Sequence, residues 1–362
     1  MTIETSDHHA NPLAIDGISF VEFCGESLAF YEKLFGGMGM TLVASSPERD
    51  MGVFRQEGIC FVVNNRKSCY AHQFAQQHGP CLSGLAYRVA DSGRAYELAL
   101  AGGWTAHQMT PEQKTLPVPT LDGIGGSGLY FIQADQEEAL LGEICGPLSA
   151  ENADLGIGLY TVDHLTHNVF AGQRQKWVDL YVKSFNFTSV FELDATGTFS
   201  GMKTTAVISP CGQFRIAINE PTEAASQIQE FIDEMKGEGM QHIALSSHDL
   251  YDSIERISGA GIDFQETIGA YYDGLEDRLP GHGEDSDRLQ RLGLLLDGHR
   301  LGPDENSQWG LLLQIFSKNL IGPVFFEFIQ RKQNEGFGEG NAQALFESIE
   351  RDQLRRGSVN IK

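Results

Sequence analysis

The chain is poor in positive charge: its 362 residues hold 26 Lys and Arg against 49 Asp and Glu, a net charge of −23 at pH 7. A surface of that sign argues against nucleic acid and anionic membrane as partners. No apolar run approaches the roughly 20 residues that a membrane-spanning helix requires. The first residues, Met1-Thr2-Ile3-Glu4-Thr5-Ser6-Asp7-His8-His9, offer neither a basic stretch nor an apolar core, so no secretory signal is read there. Cysteine is scarce, and the six present (24, 60, 69, 81, 145 and 211) follow neither a CxxC nor a framework spacing. They read as reduced, mostly buried thiols of a cytoplasmic protein.

What is present is a soluble composition, 41% apolar and 10% aromatic, with a pattern that occurs twice. Residues 15–23 alternate as a strand, and 27–35 follow as a helix stopped by Gly36-Gly37. Strands are predicted at 52–56, 59–64 and 82–89, a helix at 92–101 and a strand at 128–133. The second half runs the same course. Residues 162–170 match 15–23, a helix spans 173–185, and 214–220 lie over 59–65. Residues 240–246 lie over 82–88, with a helix at 251–258 after them, and 325–328 lie over 129–132. A repeat of about 150 residues is too long for a solenoid and indicates two related α+β domains of strand-helix-strand units.

Laid over each other, the halves differ at three positions: His164 faces Gly17, His242 faces Gly84 and Glu327 faces Phe131. Glu327 is one carboxylate in the apolar stretch Gly322-Pro323-Val324-Phe325-Phe326-Glu327-Phe328-Ile329. Strand alternation puts it on one face with Phe325 and Ile329, opposite Phe326 and Phe328. Taking such a carboxylate out of water costs on the order of several kcal/mol unless it is paired, protonated or bound to a metal. Alone, Glu327 is as readily a strand-edge residue or the partner of a distant Arg. Two imidazoles and an acid arriving together on three separate strands are a metal-site signature.

Two His and one carboxylate, with three coordination positions open, is the arrangement of non-haem Fe(II) oxygenases. Zn²⁺ fits the same set, but no adjacent general base points to hydrolysis. His167 competes with His164; on a strand, a separation of three puts the two rings on opposite faces, and the repeat selects His164. His248, His282 and His299 lie in polar, loop-like sequence and read as solvated. Elsewhere alternation places Gln314 with Phe316, Asn219 with Ala217 and Thr204 with Ala206, while Gln241 adjoins His242 and points to the other face. Buried amides and hydroxyls in such strands need a partner, either backbone or a polar group of a substrate.

Several longer stretches carry a resemblance. They are Val162-Asp163-His164-Leu165-Thr166-His167-Asn168-Val169, Ile218-Asn219-Glu220-Pro221, Ser226-Gln227-Ile228-Gln229 and Gly239-Met240-Gln241-His242-Ile243-Ala244. With them go Leu312-Leu313-Gln314-Ile315-Phe316, Phe325-Phe326-Glu327-Phe328-Ile329-Gln330-Arg331, Gly336-Phe337-Gly338-Glu339-Gly340-Asn341 and the tail from Ala344 to Gln353. Together they resemble the 4-hydroxyphenylpyruvate dioxygenases of the vicinal-oxygen-chelate superfamily, densely from about residue 157 onward. The resemblance implies two tandem glyoxalase/dioxygenase-like domains of repeated βαβββ units forming open barrels. Residues 1–150 would be structural, without metal ligands; residues 157–362 would be catalytic, with a lid helix at the end.

By the same resemblance, Fe(II) is held by His164, His242 and Glu327. The substrates are 4-hydroxyphenylpyruvate and O₂, and the products are homogentisate and CO₂, as in tyrosine catabolism. Gln227, Gln241, Gln314, Asn219 and Thr204 would form the polar lining, and Phe316, Phe325 and Phe337 the aromatic wall. Asn341 would contact substrate and cap a helix running to Gly357, with Ala342, Leu345, Phe346 and Ile349 on its apolar stripe. Family members form homodimers or homotetramers. Two residues depart from the family pattern: Ala342 stands where a Phe usually stacks on substrate, and Ala217 where Pro is common. Rival readings are hydroxymandelate synthase, which tends to have a smaller aliphatic residue at Phe316, an extradiol dioxygenase, and a metal-free binding protein of the same fold.

Overall fold

The structure, a computed structural model, describes residues 10–114, 116–149, 156–194, 201–304, 307–341 and 344. The first half contributes β1 (Gly17–Cys24), α1 (Leu28–Gly37), β2 (Thr41–Ser46), β3 (Met51–Gln56), β4 (Ile59–Asn64) and α2 (Tyr70–His78). It continues with β5 (Cys81–Val89), α3 (Ser92–Ala101), β6 (Thr120–Asp122), β7 (Gly128–Gln133) and α4 (Glu137–Cys145). The second half contributes β8 (Leu159–Asn168), α5 (Arg174–Phe185), β9 (Thr188–Asp194), β10 (Met202–Ile208), β11 (Arg215–Pro221), α6 (Gln227–Met235) and β12 (Gly239–Ser247). Then follow α7 (Leu250–Gly259), α8 (Gly269–Asp273), α9 (Leu275–Arg278), α10 (Ser286–Leu292), β13 (Leu295–Arg300), β14 (Trp309–Phe316) and β15 (Phe325–Lys332).

Local chemistry explains where the helices start. The side chains of Ser27, Asp91, Ser226 and Asp249 accept the backbone N–H three residues on, at the head of α1, α3, α6 and α7. Helix α1 buries Leu28, Tyr31, Leu34 and Phe35, a stripe at spacings of three and four. It ends on the Gly36-Gly37 pair, with Met38 as its C-cap.

The strands form two mixed sheets. One has the order β2-β3-β4-β1-β5-β7-β6 and the other β9-β10-β11-β8-β12-β15-β14-β13. The order is the same in both, with one strand added, so β8 stands where β1 does, β12 where β5 does and β15 where β7 does. The ladders agree: β1 pairs in parallel with β4 as β8 does with β11, and the neighbouring β3–β4 and β10–β11 ladders are both antiparallel. The repeat read from the sequence is therefore a repeat of topology. One residue match is off. Leu165 pairs with Ile216 as Val21 pairs with Phe61, which sets His164 level with Phe20 and not with Gly17. Irregularities between Ile18 and Phe20 and between Glu22 and Phe23 shift the β1 register, and hydrophobic alternation does not reveal such bulges.

Cα packing groups the chain into two compact units. The first comprises residues 1–156, 161–243 and 319–325. Its centre is aromatic: Phe23 meets Phe35 and Phe61 edge-on at 5.1 and 4.9 Å between centroids. Further along, the Trp104 ring lies flat on Phe185 of α5, 4.7 Å away at 6°. Ser184 Oγ donates to the Gly102 carbonyl at 2.8 Å beside it. The second unit comprises residues 157–160, 244–318 and 326–362. There β13, β14 and β15 form an antiparallel ladder in which Phe316 faces Glu327 and Gln314 faces Ile329. Phe326 and Phe328 are fully buried.

All six cysteines are free thiols, five of them buried and Cys211 half-buried. Among the described residues, no helix is long and apolar enough to cross a membrane. Trp104 is only 4% exposed, so truncating it opens a ring-sized cavity against Phe185, Trp177 and Tyr181. Trp104→Ala is expected to destabilise the protein by about 3–5 kcal/mol. Urea melts of the two proteins check this; a loss under about 1 kcal/mol would show that the stack adds little beyond an exposed contact.

Candidate metal centre

Three neighbouring strands of the eight-stranded sheet, β15, β12 and β8, each project one ligating side chain. His164, His242 and Glu327 each offer a ligand atom, and these atoms lie within 4.8 Å of one another. His164 and Glu327 are each 4% exposed and His242 is half-buried. The two imidazoles meet edge-on at 5.6 Å, and Phe325 stacks on the His242 ring at 4.7 Å and 22°.

Hydrogen bonds fix the tautomers. His164 Nδ1 lies 2.9 Å from Asp163 Oδ1, and Arg215 Nη1 stands 3.7 Å from the other Asp163 oxygen. A carboxylate paired with Arg only accepts, so His164 Nδ1 carries the proton and Nε2 presents its lone pair. His242 Nδ1 lies 3.1 Å from Gln241 Oε1, again an acceptor, so its Nε2 is also a lone pair. Thr166 Oγ1 stands 2.9 Å from that nitrogen and donates to it. An imidazole with its far N–H held by an acyl oxygen is how a metal-ligating His is oriented. On Glu327, Oε1 accepts from Gln314 Nε2 at 2.9 Å. Two neutral imidazole lone pairs and a carboxylate form a donor set that fits a divalent transition metal.

The other expected residues fall into place unevenly. Thr204 Oγ1 donates to Asn219 Oδ1 at 2.7 Å, and Asn219 Nδ2 donates to Asn168 Oδ1 at 3.2 Å, a polar row across β10, β11 and β8. Gln241 was expected on the far face of β12 from His242; the long, flexible side chain instead brings its amide back to the ring. Gln227 is exposed at the first position of α6. Phe316, Phe325 and Phe337 are half-buried. Asn341 spends its side chain inward, with Nδ2 donating to Gln314 Oε1 at 2.7 Å. Ala344 is buried, but Ala342, Leu345, Phe346, Ile349 and the rest of the expected lid helix lie outside the described residues. Ala217 sits mid-strand in β11, buried and facing Ala206.

Gly338 holds Gln314 in place from above. Its φ is +80°, and a Cβ there would stand 1.7 Å from Gln314 Oε1, so only glycine lets the chain pass that close. Among the histidines, His282 is a correction: it is 7% exposed, not solvated, and accepts the Glu284 N–H at 3.0 Å. His167 lies on the other face of β8 from His164, as alternation requires, with Nε2 3.0 Å from the Tyr181 hydroxyl. Sequence reading did not single out Asp163, Thr166 or Arg215 as site residues. The signal available for Asp163 was its place directly before His164.

Comparison with known proteins places this geometry. The family model for the hydroxyphenylpyruvate dioxygenase N-terminal region matches residues 9–164, and that of the glyoxalase/bleomycin resistance protein/dioxygenase superfamily matches residues 161–277. A 4-hydroxyphenylpyruvate dioxygenase of a Pseudomonas species is 42% identical over 360 residues, covering 98% of this chain and 99% of the relative. The chain belongs to the 4-hydroxyphenylpyruvate dioxygenase family. Hemolysin VllY of Vibrio vulnificus is similar as well, at 42% identity over 97% of this chain and 98% of its own length. A solved mutant of 4-hydroxymandelate synthase from Streptomyces coelicolor shares the fold, with a TM-score of 0.74 at 24% identity over 94% of this chain and 99% of that one. The tandem glyoxalase-type fold of the 4-hydroxyphenylpyruvate dioxygenase family is thus the fold of this chain.

Burial pushes the His167 imidazole down to about 3. An unfolded His titrates near 6.5, so between about 6.5 and 3 the unfolded chain binds a proton that the folded one refuses. Stability is therefore expected to fall as pH drops through that window, by up to about 1.4 kcal/mol per unit from this residue, and to gain nothing from it above pH 7. Denaturant midpoints at pH 7, 6 and 5 for the parent and His167→Phe test this. Equal pH slopes in the two proteins would rule His167 out as the source.

Proposed function

We propose that the protein converts 4-hydroxyphenylpyruvate and O₂ to homogentisate and CO₂, with Fe(II) held by His164, His242 and Glu327. The observation that carries this reading is the convergence of two lone-pair imidazoles and one buried carboxylate in a chain of this family. When bound, Fe(II) supplies the redox chemistry that joins O₂ to an α-keto acid.

The chain's own residues would do the rest. Asp163 and Gln241 hold the two imidazoles in the tautomer that a metal needs. Gln314 donates to one Glu327 oxygen, a bond that favours the ionised form a metal ligand needs. The second N–H of Gln314, with Gln241, Asn219, Thr204 and Gln227, would meet the polar groups of the substrate, and Asn341 would act on it through Gln314. Phe316, Phe325 and Phe337 would form the apolar wall that excludes water from a reactive oxidant. Residues 1–150 would serve as a structural domain and 157–362 as the catalytic one. A cytoplasmic, homodimeric or homotetrameric enzyme suits six reduced thiols and a strongly acidic chain.

The test is O₂ uptake with 4-hydroxyphenylpyruvate and added Fe(II), with the aromatic product identified. Homogentisate is expected, with about one iron per chain in the parent and none in Glu327→Ala. Formation of 4-hydroxymandelate would reassign the enzyme to benzylic hydroxylation, and absence of uptake by the iron-loaded protein would refute a dioxygenase.

A further inference from the structure

Gln314 is held from behind by Asn341 and, behind that, by two residues to which the proposed reaction gives no part. Its Oε1 accepts from Asn341 Nδ2 at 2.7 Å, and Asn341 Oδ1 accepts from the Tyr271 hydroxyl at 2.6 Å. Tyr271 and Asn341 are both 2% exposed. A phenol hydroxyl has one proton and two lone pairs. Both lone pairs of Tyr271 are committed, to the Leu296 N–H at 2.9 Å and to Arg278 Nη2 at 2.7 Å. Two acceptors compete for the proton, Asn341 Oδ1 at 2.6 Å and the Leu296 carbonyl at 3.1 Å. Arg278 Nη2 already satisfies that carbonyl at 2.9 Å, so the proton goes to Asn341. The guanidinium also lies over the Tyr271 ring, 5.1 Å from its centroid.

Arginine only donates, so the direction of each bond from Arg278 onward is forced. Tyr271 accepts from Arg278 and donates to Asn341 Oδ1, which also accepts directly from Arg278 Nη1 at 3.5 Å. Asn341 must then turn its NH₂ to Gln314, and Gln314 must turn its NH₂ to Glu327. If Asn341 were reversed, Gln314 would reverse with it and set a carbonyl oxygen against a carboxylate.

We propose that Tyr271 and Arg278 are positioning residues: through Asn341 they fix the orientation of the Gln314 amide, so that Glu327 always meets a donor there and is held in place as a metal ligand. This rests on the metal centre argued above. The full chain, stripped of metal, is titrated with Co(II) and followed by visible absorption, alongside its thermal melting without metal. The parent is expected to bind one Co(II) and Glu327→Ala none. Tyr271→Phe is expected to weaken Co(II) binding about tenfold, alongside a lowered melting temperature from the Leu296 N–H that loses its acceptor. The same change made on top of Gln314→Leu is expected to cost nothing further, because it acts through that amide. Arg278→Met gives the same reading and replaces Tyr271→Phe should that protein not fold. Parent-like affinity in both variants, or an additive loss in the double variant, overturns the relay and leaves the centre standing. A parent that binds no Co(II), or a Glu327→Ala variant that binds it equally well, overturns the centre itself.

Discussion

One buried carboxylate meeting two imidazole lone pairs is the constraint on which the rest of the second sheet depends. Glu327 is 4% exposed, and its loss of water costs on the order of several kcal/mol. The Gln314 amide contributes about 1.5–3 kcal/mol against that cost, the worth of one hydrogen bond to a charged group. The imidazoles of His164 and His242 are each held at Nδ1, by Asp163 and Gln241, and the Thr166 hydroxyl donates to His242 Nε2 where a metal would otherwise bind. Three groups that can each give a metal an electron pair lie within 4.8 Å of one another, and a cation between them would offset the cost of burying the acid. The strands, the tautomers and the amide behind Glu327 all make sense once that cation is assumed, and are costly otherwise.

The first sheet solves the same problem differently. Glu22 is 1% exposed on β1, facing Gly84 on β5. It accepts from Asn64 Nδ2 at 2.8 Å, Ser83 Oγ at 2.9 Å and the Tyr130 hydroxyl at 3.3 Å. Three neutral donors there do what a cation would do at Glu327. They also fill the space: a Cβ on Gly84, the residue aligned with His242, would stand 2.7 Å from the Tyr130 ring and 3.0 Å from Glu22. A single strand order thus supports two ways of burying an acid, one closed by protein donors and one open to a ligand. Which of them a sheet adopts is decided by a few side chains, not by the fold.

Most of the architecture was legible because both halves use strong, simple periodicities. The strands β1, β4, β5, β7, β8, β11, β12 and β15 and the helices α1, α3, α5 and α7 all lie where alternation and capping put them. Glu327 stood out because an acid among Phe325, Phe326 and Phe328 breaks a hydrophobic pattern. What stayed hidden has identifiable causes. The β1 bulges shift the register by amounts no alternation records, so His164 was matched to Gly17 although it stands level with Phe20. Short helices such as α8 and α9 have too few turns for a periodic signal. Tyr271 lies on one of them, and only its tertiary contact with Asn341, 70 residues away, marks it.

The relay behind Glu327 is built of neutral amides, and its electrostatics explain why. A guanidinium placed directly on Glu327 would satisfy the acid fully and compete with a metal for the same oxygens. Here the guanidinium of Arg278 is held behind Asn341 and Gln314, reaching Asn341 through Tyr271 and directly at 3.5 Å. Its charge is met locally by Asp297, 3.9 Å away. Asp297 in turn accepts the Gly340 N–H at 3.0 Å, one residue before Asn341. The charge therefore anchors the glycine-rich segment, and only bond direction, not charge, is passed to the carboxylate. Glu327 thus meets an amide whose orientation is fixed, the support that a ligand on a buried strand requires.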